Sequence, residues 1–235
     1  MTLLGARPAR ISRAMATQSA SSLVIEPVIE VLPSTLDPHE DTSAAALSDE
    51  HAWHRRMRRA LDVAGLASLP VEGRWALARD VVELPGATER LVEATLAGAD
   101  DAGDADEQWV DHVVPCGVAI RVDGVVRAWP GCCADWGVLA ELSEALDARS
   151  ADERSIWIGH HAGALSIAGA DRDTLTLRTW RDEKGEPEVW LVDRAALARA
   201  IEAAWDLVDR FELIARPIVD ARSNGKTVRS RDRRA

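Results

Sequence analysis

Residues 116–142 read CGVAIRVDGVVRAWPGCCADWGVLAEL and contain all three cysteines of the chain. Apolar residues alternate with other residues from Val118 to Val122, and Asp123-Gly124 is the dipeptide that a two-residue type I′ turn prefers. The apolar stretch from Val125 to Trp129 then runs back. This pattern predicts a β-hairpin, which is the clearest local structure in the sequence.

The predicted hairpin brings two thiols close together. With the turn centred between Asp123 and Gly124, Cys116 would lie opposite Gly131, with Cys132 beside it. A regulatory disulfide between Cys116 and Cys132 is one alternative, although directly paired strands put successive side chains on opposite faces.

A helix is predicted directly after the hairpin. Pro130-Gly131 ends the strand, and Asp135 is a residue type that caps helix N-termini. Cys132 and Cys133 would then stand just before a helix N-terminus, where backbone amides and the helix dipole favour a thiolate. The apolar positions of this helix are Trp136, Leu139, Leu142 and Leu146.

The composition describes an acidic globular protein. The chain has 28 basic and 39 acidic residues, a net charge of −11, and its aromatic residues are nine Trp and one Phe, with no Tyr. We therefore expect Trp to supply most of the aromatic packing. A negative surface repels phosphate backbones, so the charge argues against nucleic acid as a partner and favours a basic protein.

The cysteine count bears on the cellular compartment. Three cysteines are an odd number, and we find no apolar run long enough for a signal peptide or a membrane span. These features predict a cytoplasmic protein with no membrane role.

We predict a single folded domain between two disordered ends. The order of predicted elements favours an α+β fold, in which an antiparallel sheet is covered on one face by helices. Residues 1–47 are interpreted as a disordered leader and linker with at most one short strand, from Leu23 to Val31, and Met15 is an alternative start. The domain spans 48–219, helical over 48–98 and strand-rich over 108–219, and 220–235 is interpreted as a basic disordered tail.

Apolar spacing and turn signals place the remaining elements. A helix beginning at Asp193 should pack across the sheet through an apolar stripe that ends at Phe211. Further helices are predicted over 48–65, 71–82 and 87–97, and further strands over 155–159, 164–168, 174–180 and 187–192.

Cysteines and histidines offer a candidate zinc site. Zinc prefers four nitrogen or sulfur ligands in tetrahedral geometry, and the hairpin and the later strand could bring them together. The spacing matches no common zinc knuckle, and cysteines are often buried without binding anything. We therefore expect no cofactor, with zinc as the alternative. The candidate ligands are His112, Cys116, Cys132, Cys133, His160 and His161.

A thiol nucleophile is the second chemical alternative. Cys133 or Cys132 at a helix N-terminus, with His160 or His161 as base, has the residue types that a cysteine hydrolase needs. No acid or amide that would orient the histidine stands out. Carboxylates are abundant, but no pair has a spacing that marks a general acid and base, and no calcium loop or glycine-rich phosphate loop is present in the sequence. We favour a protein that is not an enzyme.

Gly131-Cys132-Cys133-Ala134-Asp135-Trp136, followed by Trp157-Ile158-Gly159-His160 and the late Trp180, resembles a group of uncharacterised bacterial proteins. These carry a GCC turn before a D/E-W helix and a W-x-G-H strand end. The resemblance covers Cys116 to Phe211. In that group an acid often follows the histidine, whereas His161-Ala162 follows here.

In its broad layout the chain is also similar to the SUKH type of toxin-immunity protein. That likeness implies a sheet with flanking helices that presents an acidic face to a toxin. Our leading interpretation is a non-catalytic cytoplasmic protein that binds a basic protein partner through Asp135, Trp136, Trp157 and Trp180. The Arg-rich tail, 222–234, is the one stretch suited to nucleic acid. The alternative is a zinc- or thiol-dependent enzyme centred on Cys116, Cys132, Cys133 and His160.

Overall fold

The fold is known from a computed structural model, which describes residues 17–37, 50–98, 107–131, 134–147, 153–159, 164–180, 186–222 and 226–228. Within these ranges the chain forms strands β1 (Gln18–Ser19), β2 (Leu23–Glu30), β3 (Trp75–Leu77), β4 (Glu107–Trp109), β5 (Cys116–Val122), β6 (Val125–Ala128), β7 (Glu153–Ile156), β8 (Leu165–Gly169), β9 (Thr174–Thr179), β10 (Glu188–Asp193) and β11 (Lys226–Val228). The helices are α1 (Pro33–Leu36), α2 (Glu50–Val63), α3 (Ala78–Glu83), α4 (Ala87–Gly98), α5 (Val110–Val113), α6 (Val138–Ala145) and α7 (Arg194–Arg222).

The described strands form two main sheets, which we name sheet A and sheet B. Sheet A has the order β1-β10-β9-β8-β7 and is antiparallel except for the parallel pair β1 and β10. Sheet B has the order β3-β2-β5-β6 and is antiparallel throughout. A small parallel pair joins β11 to β4.

The predicted α+β class is confirmed, but the arrangement within it differs from the expectation. Sheets A and B replace the single expected sheet, and their inward faces share one hydrophobic core. A helical N-terminal half is not supported, because β1, β2 and β3 precede or interrupt the helices there.

The region interpreted as leader and linker supplies a central strand. The single short strand allowed from Leu23 to Val31 is confirmed as β2. It lies between β3 and β5, and Val28 and Ile29 are fully buried, so the interpretation of 1–47 as a disordered leader and linker is wrong for residues 17–37. The linker was predicted from the prolines of this region, one of which, Pro27, lies within β2. The backbone N–H of Glu30 donates to the Pro115 carbonyl, on the side of β5. The backbone N–H and C=O groups of odd-numbered residues of β2 therefore point toward β3. Because β3 pairs only with residues 28–30 of β2, the missing N–H of Pro27 removes no hydrogen bond between the strands.

The predicted hairpin is confirmed at its turn. Asp123 and Gly124 both have positive φ, 50° and 78°, as a type I′ turn requires. The Asp123 carboxylate also accepts hydrogen bonds from both backbone N–H groups of Ser21 and Ser22 and from the Ser21 hydroxyl. The turn therefore fixes the short connection that leads from β1 in sheet A to β2 in sheet B.

The hairpin register changes beyond the turn. Val122 pairs with Val125 and Arg121 with Val126, but Ile120 pairs with Ala128, so Arg127 is an extra residue. Arg127 reaches sheet A, where it forms an ion pair with Glu188 at 2.9 Å and stacks over the Trp190 ring.

The expected pairing of Cys116 with Gly131 is wrong. β6 ends at Ala128, and the chain then crosses over β5 at Gly117. A Cβ on Gly117 would lie 2.9 Å from Cγ of Pro130 and 3.1 Å from Cβ of Ala134. Glycine at this position leaves room for the crossing.

The helix predicted over 71–82 is only partly correct. Glu72 and Trp75 exchange backbone hydrogen bonds around a tight turn, in which Gly73 has a φ of 62°. β3 follows this turn, and α3 begins only at Ala78. A helix cannot pass through such a turn. The helices predicted over 48–65 and 87–97 are confirmed by α2 and α4.

The strands and the long helix predicted after residue 150 are confirmed with small shifts of their ends. Oδ1 of Asp193 accepts the Ala196 N–H at 2.6 Å, which is the expected N-terminal cap of α7. The buried apolar face of α7 packs against β2 and α4. Its buried apolar residues are Leu197, Ile201, Ala204, Trp205, Val208, Phe211, Ala215 and Val219.

The predicted disordered tail needs a similar correction. α7 continues to Arg222, and residues 226–228 form β11 beside β4, so 220–222 and 226–228 belong to regular elements. Within the described ranges, no helix combines the length and the hydropathy needed to cross a membrane.

Candidate functional site

The segment that begins at Gly131 and the segment that begins at Trp157, which carry the resemblance described above, meet at the end of β7. The backbone N–H of Gly131 donates to the carbonyl of Ile158 at 2.8 Å, which holds the segment before α6 against the segment after β7. The backbone N–H of Trp157 donates to Oε2 of Glu141, on α6, at 3.1 Å. Because β7 is an edge strand of sheet A, this carboxylate satisfies a donor that has no strand neighbour.

The three tryptophans predicted to bind a partner differ in how far they are exposed to solvent. Trp157 is 44% exposed, whereas Trp136 is completely buried and makes an edge-to-face contact with Phe211 at 5.5 Å. The structure thus corrects the prediction that Trp136 belongs to a partner-binding surface, because its ring lies in the core. Trp180 is half-buried at the end of β9.

Carboxylates line α6 beside Trp157. We call Asp135, Glu141, Glu144 and Asp147 the acidic strip. Its last three members recur at intervals of three residues and so follow one side of α6 and the turn after it. Oδ1 of Asp135 accepts the Gly137 N–H at 2.6 Å, and Glu144 forms an exposed ion pair with Arg154 at 3.1 Å.

The surroundings of Glu141 make its ionised form unfavourable. Burial raises the pKa of Glu141, the bond from the Trp157 N–H lowers it, and the nearby charges of Asp135 and Glu144 raise it further. The net direction is upward. A positive charge placed here would relieve this repulsion and favour the ionised carboxylate.

The acidic strip ends at an acidic cleft. Asp147 lines an open cleft of about 390 Å³ together with Asp173 and Asp193. Arg194 also lines it, and its guanidinium donates to the backbone carbonyls of Asp171 and Arg172. Acidic groups therefore continue from Trp157 along α6 to the start of α7.

Most of the candidate chemical residues lie outside the described part of the chain. This applies to Cys132, Cys133, His160 and His161, and with them to the thiol nucleophile and the disulfide. His112 belongs to α5, and its side chain is not among the described ones. Cys116 is buried at the first residue of β5, where it pairs with Ile29. Among the described residues, no group of three or more His, Cys, Asp or Glu side chains is placed to hold a metal ion.

Sequence reasoning missed Glu141 and Glu144. Their signal was present, because they stand three residues apart in a helix whose apolar positions were recognised. The sequence does not show that β7 lies against α6, and this tertiary contact brings Glu141 to the backbone of Trp157.

Comparison with known proteins adds no relative. The chain matches no protein-family model, and no curated protein or solved structure matches it either. The elements and sheets described above define an α+β protein.

Proposed function

We propose that this protein is a non-catalytic binding protein that holds a basic protein partner on the acidic strip, with Trp157 as the anchor. The contact between Trp157 and Glu141 carries the proposal, because it holds a carboxylate whose own neighbours are negative against the backbone of an exposed tryptophan. Indole faces attract cations, and tryptophan is enriched among the residues that dominate binding energies.

The charge distribution supports a basic partner. The strip and the cleft form an extended row of carboxylates on a chain whose net charge is −11. Such a surface speeds the encounter with a basic protein and selects against acidic ones. An immunity protein, as the likeness to the SUKH type implies, would use this surface to cover a basic toxin.

The enzyme alternative stays a prediction from sequence. It is centred on Cys116, which is buried in β5, and on Cys132, Cys133 and His160, which lie outside the described residues. No described contact favours it.

A titration of the full chain with a short peptide of alternating glycine and arginine tests the proposal. We expect binding that weakens between low salt and about 0.15 M salt, where charges are screened beyond about 8 Å. The double variant Glu141→Gln and Glu144→Gln should bind much more weakly. Its matched control, Glu83→Gln with Glu93→Gln, removes the same charge from exposed positions on α3 and α4 and should bind normally. Equal weakening by both pairs would contradict a defined site.

A further inference from the structure

Three residues at one end of sheet A form a row. Ile156 pairs with Leu165 and Leu165 pairs with Thr179, so Trp157, Ala164 and Trp180 each stand one residue beyond these pairs, at the same end of three adjacent strands. The backbone N–H of Trp180 donates to the Ala164 carbonyl at 2.8 Å, which extends the pairing of β8 with β9 by one residue.

Burial shows which face this row occupies. Ile156, Leu165 and Thr179 are between 0% and 4% exposed, so the paired row before it faces the core. Successive residues of a strand point to opposite faces, and directly paired residues share one. In agreement with this, Trp157 and Ala164 are exposed and Trp180 is half-buried.

The row therefore has two indoles on either side of an alanine. Neighbouring strands lie about 4.8 Å apart, so the backbones of Trp157 and Trp180 are separated by about 10 Å. Ala164, which stands between the two tryptophans, contributes only a methyl group. A separation of about 10 Å is enough for one flat group to lie between two aromatic rings.

We propose that Trp157, Ala164 and Trp180 form a slot for the guanidinium group of an arginine side chain of the partner. This inference rests on the proposed function and specifies the group that the surface recognises. A guanidinium is planar and weakly hydrated and stacks on aromatic faces, whereas the ammonium of lysine is compact and strongly hydrated. Cations interact with a ring within about 6 Å of its centre, so one guanidinium can contact both indoles.

Charges around the slot complement a cation. Glu141 contacts the backbone of Trp157, and Asp135 lies close enough to raise the pKa of Glu141. Arg178, two residues before Trp180 on the same strand, is neutralised by Glu153 at 2.8 Å. The net local charge is therefore negative.

The test compares two peptides of equal length, one of alternating glycine and arginine and one of alternating glycine and lysine. Each is titrated into the full chain and into the variants Trp157→Ala, Trp180→Ala and the double variant. The control is Trp53→Ala, which removes a half-buried indole on α2. Thermal unfolding of each variant confirms that it is folded at the temperature of the titration.

The slot predicts that the arginine peptide binds more tightly than the lysine peptide and that either single substitution weakens its binding about tenfold. The double variant should lose little more, because both rings act on one group. If only Trp157→Ala weakens binding, or if the two peptides bind equally, the slot is wrong and the proposed function stands. If neither peptide binds the unsubstituted chain, both proposals are wrong.

Discussion

The backbone N–H of Trp157 donates a 3.1 Å hydrogen bond to Oε2 of Glu141 and thereby joins the edge of sheet A to α6. Burial and neighbouring charges make the ionised carboxylate unfavourable in the folded chain, as its raised pKa indicates. A group that costs stability and lies beside an exposed indole is typical of a binding site, where stability and function oppose each other.

Glu141→Gln should therefore stabilise the protein while it weakens binding. Glutamine keeps an oxygen that accepts the Trp157 N–H, but it removes the half-buried charge. We expect a higher unfolding midpoint at neutral pH together with weaker binding of the arginine peptide. Denaturant unfolding and calorimetric titration measure the two effects, and a variant that binds normally would show that Glu141 takes no part.

Binding should depend on pH through the same carboxylate. The folded-state pKa of Glu141 lies above the ordinary value of 4.5, so Glu141 ionises as the pH rises through a window that begins there. Affinity for the arginine peptide should rise across this window. The charges of Asp135 and Glu144 act on Glu141, and Arg154 forms an ion pair with Glu144. The Glu141→Gln variant should show a flatter profile, and an unchanged profile would assign the dependence to the other groups.

The linked effect on stability has the opposite sign. Because the folded state holds the Glu141 proton more strongly than the unfolded state does, this group's contribution to stability falls as the pH rises from 4.5 through the folded-state pKa. Comparing unfolding free energies of the native chain and Glu141→Gln across this range isolates that contribution. A difference that does not change with pH would contradict the assignment.

Trp136 and Trp157 should respond very differently to replacement by alanine. Trp136 is fully buried against Phe211, so Trp136→Ala should cost about 3–5 kcal/mol of stability. Trp157→Ala should cost clearly less than Trp136→Ala, because nearly half of the Trp157 surface already lies in solvent. Chemical denaturation of both variants measures the contrast, and similar losses would mean that the exposure of Trp157 is incorrectly described.

Gly117→Ala should destabilise the protein through the crossing of the chain over β5. Its Cβ would approach Pro130 and Ala134 too closely, and such overpacking costs about 1–3 kcal/mol. Gly124→Ala is the control for steric crowding, since nothing lies within 4 Å of its Cβ and only the positive φ of 78° opposes the substitution. Unfolding that is unaffected by Gly117→Ala would contradict the described path of the chain.

Local signals in the sequence predicted the elements that local chemistry determines. The turn at Asp123-Gly124 needs two positive φ angles, and this dipeptide accepts them readily. The cap that Asp193 provides for α7 likewise needs only a carboxylate at a fixed distance from one N–H group.

Features that depend on distant parts of the chain could not be read from the sequence. Pro27 suggested a linker, and only the limited length of β3 explains why a central strand accepts it. The spacing of Trp136 with Leu139 and Leu142 favoured its burial in a helix face, but no local signal indicated that Trp157, at the end of a strand, is exposed. The extra residue at Arg127 similarly depends on its contacts with Glu188 and Trp190 in the other sheet.

The most direct test of the central claim follows the indole N–H resonances of the nine tryptophans by NMR during a titration with the arginine peptide. The Trp157 signal, identified from the spectrum of Trp157→Phe, should shift progressively to saturation. The signals of buried Trp136 and Trp205 should stay in place. An unmoved Trp157 signal at saturation, or equal shifts of the buried rings, would contradict binding at the acidic strip.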